Sequence, residues 1–109
     1  MRLLSFGPDS GHPIARFASD FVLTPLTEHG GSVRAACIHV GPGGSVGEHE
    51  ATVDQLFCVV GGEGWVSGED GVRCRIAVLE AAHWRSGERH AAGTDTGLTA
   101  IVLEGGPFV

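Results

Sequence analysis

Gly43 to Gly64 reads GGSVGEHEATVDQLFCVVGGEG, and the way it alternates and breaks decides the fold. Glycine clusters mark both ends. Between them Val53 to Val60 (VDQLFCVV) has strand length and is apolar on both parities after Gln55, the pattern of a strand buried on both faces. Gly62-Glu63-Gly64 resembles half of a dinucleotide fingerprint, but no helical pattern follows it, so it is expected to be a turn between strands. His49 and Gln55 share odd parity with Ala51, Val53, Phe57 and Val59. They therefore project to one face if no bulge intervenes, with Glu48, Glu50 and Asp54 on the other.

The same punctuation continues outward. Gly30-Gly31, Gly41-Pro42-Gly43-Gly44, Gly68-Glu69-Asp70-Gly71, Gly93, Gly97 and Gly105-Gly106-Pro107 cut the chain into short runs. Val72, Cys74, Ile76 and Val78 alternate with Arg73, Arg75 and Ala77, and Leu98 to Leu103 (LTAIVL) is a β-branched apolar run; both read as strands. Val33 to Val40 is a weaker strand candidate. Ile14, Phe17, Ala18 and Phe21 fit a helical template over Ile14 to Phe21, while Asp20 to Leu26 reads equally well as a strand. At least eight strands and at most one short helix are expected, an all-β sandwich or barrel.

Length and composition set the frame. One domain accounts for 109 residues. At 11.3 kDa a folded monomer exposes roughly 5,700 Å² against roughly 16,400 Å² unfolded, enough burial to fold without staples. No repeat or linker divides the chain. A formal charge of −6 without any basic run excludes a phosphate-backbone partner, whose binding depends on Lys and Arg displacing counterions. The N-terminal MRLLSFGPDSG has neither a signal-peptide core nor a membrane span, so a cytoplasmic location is expected. Cys37, Cys58 and Cys74 are odd in number and flanked by apolar residues; buried free thiols are expected.

Six histidines, at 12, 29, 39, 49, 83 and 90, are the candidates for chemistry. No Ser lies in a nucleophile elbow and no Cys in a reactive motif. The stretch from Gly43 resembles the first motif of the cupins, G-x-x-x-x-x-H-x-H-x-x-x-E-x-x-x-x-x-x-G. Gly43, His49 and Gly62 match it, Ala51 stands for the second histidine and Gln55 for the glutamate. The second motif, G-x-x-x-x-x-P-x-G-x-x-H-x-x-x-N, is met by Gly87 and His90, with Leu79, Arg85 and Thr94 at its Gly, Pro and Asn places. The phrases GEGWVSGE, HWRSGERH and TDTGLTAIVLE are similar to a branch of small single-domain cupins that shares the His, Ala, Gln pattern. The resemblance spans roughly residues 14 to 105, with the core motifs within about 33 to 105.

The resemblance implies a jelly-roll barrel, the double-stranded β-helix, with a pocket at one end. It implies His49, Gln55 and His90 as ligands of one divalent transition metal, lacking one imidazole and one carboxylate of the usual set. That loss weakens a divalent site, and the alternative is a metal-free polar pocket in which the same three residues hydrogen-bond an organic molecule. Phe57 and Trp84 are expected as apolar walls, Trp65 as packing, and His83 in a surface or supporting role. Two functions follow as expectations: a barrel binding a small organic molecule, or a metal-dependent oxygenase or isomerase. A third, a barrel filled with side chains, is disfavoured by the retained histidine pair. A homodimer is expected from small cupins and from the even-parity face of Leu56, Cys58 and Val60.

Overall fold

The computed structural model describes residues 1, 2, 4, 6–27 and 31–108; His29 and Gly30 lie outside them. The described residues form nine strands: β1 (His12–Ile14), β2 (Phe21–Pro25), β3 (Arg34–Val40), β4 (Ser45–Glu50), β5 (Asp54–Ser67), β6 (Arg73–Ala77), β7 (Ala81–Trp84), β8 (Arg89–Gly93) and β9 (Leu98–Gly105). Every pairing is antiparallel.

The fourteen residues of β5 belong to both layers. Its first half lies between β9 and β7, in the order β1-β2-β3-β9-β5-β7; its second half lies between β6 and β8, with β4 beyond β8. The crossing is made at the glycines. The register against β9 shifts between Val59 and Gly61, and Gly62 has φ +70° with the Gly97 carbonyl oxygen 2.1 Å from where a Cβ would stand. No side chain fits there, and a left-handed residue in a strand kinks it. The GGEG segment is therefore a bulge inside one continuous strand, not the expected turn. An isolated bridge between Asp20 and Ser45 ties the opposite edges of the layers together.

The core between the layers is built from Ile38, Val40, Phe57, Val59, Ile76, Trp84, Ala92, Leu98 and Ala100. Odd-numbered β5 residues face it. That holds up to the bulge, where the even-numbered residues do not face it, so this half of β5 is not buried on both faces: Leu56 and Cys58 are half-buried and Val60 is 49% exposed, while beyond the bulge even-numbered Val66 packs against the core. In β6 only Ile76 enters the core; Val72 and Cys74 are exposed, because the strand lies at the sheet edge and its alternation is not followed by burial. Of the three free thiols, only Cys37 is fully buried, Cys58 is half-buried and Cys74 is exposed, contrary to the expectation that all three would be inside.

The helical template over Ile14 to Phe21 is not realised. Ile14 ends β1, Phe21 begins β2, and between them runs a single 3-10 turn at Arg16–Ala18; a second, at Pro8–Ser10, exceeds the one short helix expected. Eight residues cannot hold an isolated helix against competing strand pairing.

Candidate functional site

The site begins with a bulge in β4. Val46 opposes Ala92 of β8, but His49 opposes His90, the register having slipped by one residue between Val46 and His49. A one-residue slip moves a side chain to the other face of a sheet. His49 thereby faces the interior together with Val46, and the interior histidine of β4 stands directly across from that of β8. Parity between His49 and Gln55 is not what brings them together: residues 51–53 break the strand, and Gln55 arrives from the other layer, on β5.

The two imidazoles are held alike. Nδ1 of His49 lies 2.7 Å from the Gly47 carbonyl oxygen and Nδ1 of His90 lies 3.2 Å from that of Glu88. A carbonyl oxygen only accepts, so each Nδ1 carries the hydrogen, and a neutral ring held this way has its lone pair on Nε2. The rings belong to a continuous stack. Phe17 lies parallel to His49 at 4.9 Å between centroids, His49 and His90 are 4.3 Å apart, His90 lies on Trp84 at 4.3 Å, and Phe57 meets Trp84 edge-on at 5.6 Å. His90 is only 2% exposed. Burial pushes its imidazole below the ordinary value, reinforced by the neighbouring His49 and opposed by the bond to the Glu88 carbonyl.

These residues line a cavity of about 170 Å³ between the layers. Phe57 and Trp84 are its inner walls, 3% and 4% exposed, with Ile38, Ala92 and Val102 beside them. His49, Gln55 and His90 form its polar side. Glu104 also lines it but is bonded to Arg34 at 3.2 Å. Arg16 and Phe17 form a lip, the Arg16 guanidinium lying 4.7 Å over the Phe17 ring.

All five residues named from the sequence thus border one cavity. His83 does not: it stands on β7 at the surface, 3.3 Å from Asp54 and edge-on to Phe108. Trp65 packs over Gly93 and under the Arg73 guanidinium. Glu104 was not named from the sequence, though its parity with inward-facing Leu98, Ala100 and Val102 is a signal that points to it. The lip was not, because it depends on Phe17 and Ala18 adopting φ of 60° and 57°, a conformation that neither residue type announces.

The donor set does not fit a resident divalent ion. Among the described residues no group of three His, Cys, Asp or Glu side chains is arranged to hold a metal. The cavity offers two imidazoles and a neutral amide, and its one carboxylate is engaged by Arg34. Zinc sites use at least three imidazole, thiolate or carboxylate donors.

No protein-family model and no curated protein matches the chain. Solved structures do. A cupin 2 conserved barrel domain protein from Salinispora arenicola superposes with a TM-score of 0.76 at 17% identity, covering 94% of this chain and 87% of that one. A predicted oxalate decarboxylase from Thermotoga maritima gives 0.75 at 19% identity, covering 92% and 96%. The DMSP lyase DddQ from Ruegeria pomeroyi gives 0.73 at 22% identity, covering 95% of this chain but 56% of its own. At these identities the likeness concerns the fold, and it agrees with the two-layered barrel. The chain has a cupin-like fold, an all-β jelly-roll barrel, with nine antiparallel strands among the described residues.

Proposed function

We propose that the barrel is a binding module for a small organic molecule, held without a metal in the cavity between its layers. The observation that carries this is the composition of the cavity: apolar and aromatic walls with one cluster of polar groups, the arrangement that buries a ligand's body and fixes its head. Its size supports a single ring, since an engineered cavity of about 150 Å³ accommodates benzene. The test uses benzene and the variant Ala92→Leu, which fills the cavity from β8. Benzene should shift the ring resonances of Phe57 and Trp84 in the wild type and leave them unmoved in the variant. No shift at saturating benzene overturns the reading.

The second reading is a metal-dependent oxygenase or isomerase, and one observation favours it: Nδ1 bonded to a carbonyl with Nε2 left free is how metal-binding histidines are oriented. Elemental analysis of protein purified without added metal separates the two. The binding-module reading expects no stoichiometric metal in the wild type, whereas the enzyme reading expects Gln55→Glu to raise metal affinity by supplying a charged oxygen ligand, and no gain with the fold intact favours the binding module. A stoichiometric ion that is lost on His49→Ala establishes the enzyme reading instead.

A further inference from the structure

The hydrogen-bonding sense of the cavity is fixed by backbone atoms far from any ligand, and it narrows what the cavity can hold. Both Nδ1 hydrogens are spent on the carbonyls of Gly47 and Glu88. No group among the described residues bonds either Nε2. His90 is 2% exposed, yet no fully buried side-chain nitrogen or oxygen among the described residues lacks a partner. Its Nε2 is therefore open to the cavity, the space that ring borders. With both rings neutral, each held by its Nδ1 hydrogen, the cavity presents an Nε2 acceptor from each of two rings whose centroids are 4.3 Å apart.

Two neighbouring lone pairs repel each other and any third. A carboxylate oxygen placed there sets lone pair against lone pair. A hydroxyl or N–H relieves the repulsion by donating to one ring or bridging both. An organic cation would also donate, but the free charge at the lip is the Arg16 guanidinium, while Glu104 is occupied by Arg34. The body of the ligand meets Trp84 and Phe57, whose ring faces and edges favour a planar aromatic partner.

We infer that the cavity takes a small neutral aromatic hydrogen-bond donor of the phenol class, its hydroxyl on the paired Nε2 atoms and its ring against Trp84 and Phe57, and rejects the matching carboxylate. This rests on the binding-module reading and specifies its ligand class. The balance is one of binding only; no bond is made or broken.

Four probes of nearly equal size test it on the full chain by ligand-observed nuclear magnetic resonance titration: phenol, toluene, benzoate and benzylammonium. Phenol should bind roughly tenfold more tightly than toluene, the difference one neutral hydrogen bond supplies, and benzoate and benzylammonium more weakly than toluene. Toluene equal to phenol overturns the donor inference while leaving the cavity a ligand site. Benzoate or benzylammonium ahead of phenol overturns the neutral-donor class and likewise spares the binding-module reading. Absence of binding by all four overturns both. In His49→Phe, which keeps a ring against Phe17 and removes one acceptor, the preference for phenol should fall to near that of toluene, and an unchanged preference overturns the pairing. Should that variant not fold, the wild-type series still decides.

Discussion

Leu79 stands at φ 71° with its side chain 93% exposed, at the place where the cupin motif carries glycine. The turn between β6 and β7 requires that backbone, because the Leu79 amide donates to the Val59 carbonyl and the Val59 amide to that of Glu80. An L side chain in this region costs about 1–2 kcal/mol, and an exposed leucine gains little in return. Leu79→Asn, which tolerates the left-handed region without glycine's unfolded-state entropy, should stabilise by about 0.5–1 kcal/mol in urea denaturation. No gain would show that the turn relaxes around leucine. Thr94, at the motif's asparagine place, is 2% exposed, and its hydroxyl donates to the Glu63 carbonyl at 2.6 Å and accepts from the Gly97 amide at 3.0 Å. His90 also makes stability depend on pH. Its folded value lies below the unfolded 6.5, so the unfolded chain binds more protons; stability is full above about 6.5 and is lost as pH falls through the folded value. Asp54, lowered first by the Ser86 amide and then by His83, adds a loss at lower pH, below its unfolded 3.8. The urea midpoint should therefore fall between pH 7.5 and 5.5, and a flat profile would remove His90 from the account.

At the scale of elements, the bulge in β4 and the lip are one device. Gly47 sits in the bulge, its amide donates to Ser19 Oγ at 2.9 Å, and a Cβ there would stand 1.6 Å from the Phe17 carbonyl oxygen. Only glycine lets the 3-10 turn lie against β4 and lay Phe17 on His49. Gly47→Ala should push the lip away, costing about 1–3 kcal/mol by the overpacking rule, with the aromatic-shifted His49 ring resonances moving toward unstacked values. If the variant is as stable as the wild type and those resonances are unmoved, the lip does not depend on the glycine. This is also where sequence reading stops. Strand periodicity located β3, the first half of β5, β6 and β9, and the two motif spacings placed His49 and His90. The bulges could not be seen, because an inserted residue leaves composition and local alternation nearly unchanged while reversing every face beyond it. Hence Gln55 reaches the cavity through the second layer rather than by parity, and GGEG continues a strand that its glycines suggest should end.

Considered whole, the molecule is elongated, 44 × 30 × 27 Å, and exposes 6706 Å² where a compact chain of its mass exposes about 5,700 Å². The excess of about 1,000 Å² is comparable to the roughly 800 Å² that each partner buries in a standard interface. An apolar surface of the right kind lies on the outer face of the larger layer. Leu56 is in register with Leu103, and Cys58 with Ile101, across β5 and β9, Leu103 is in turn beside Ala35 on β3, and all five are half-buried. Cavity residues point away from this face, so covering it leaves the site open. We propose that a second copy of the chain covers it, apposing this face to itself about a two-fold axis, as closed symmetric pairs do. Gel filtration with light scattering should give twice 11.3 kDa at tens of micromolar. Leu103→Lys, which places a charge at the centre of the patch without touching the cavity, should return a folded monomer. A wild type that runs as a monomer at that concentration, or a Leu103→Lys variant that remains a dimer, excludes this face as the contact.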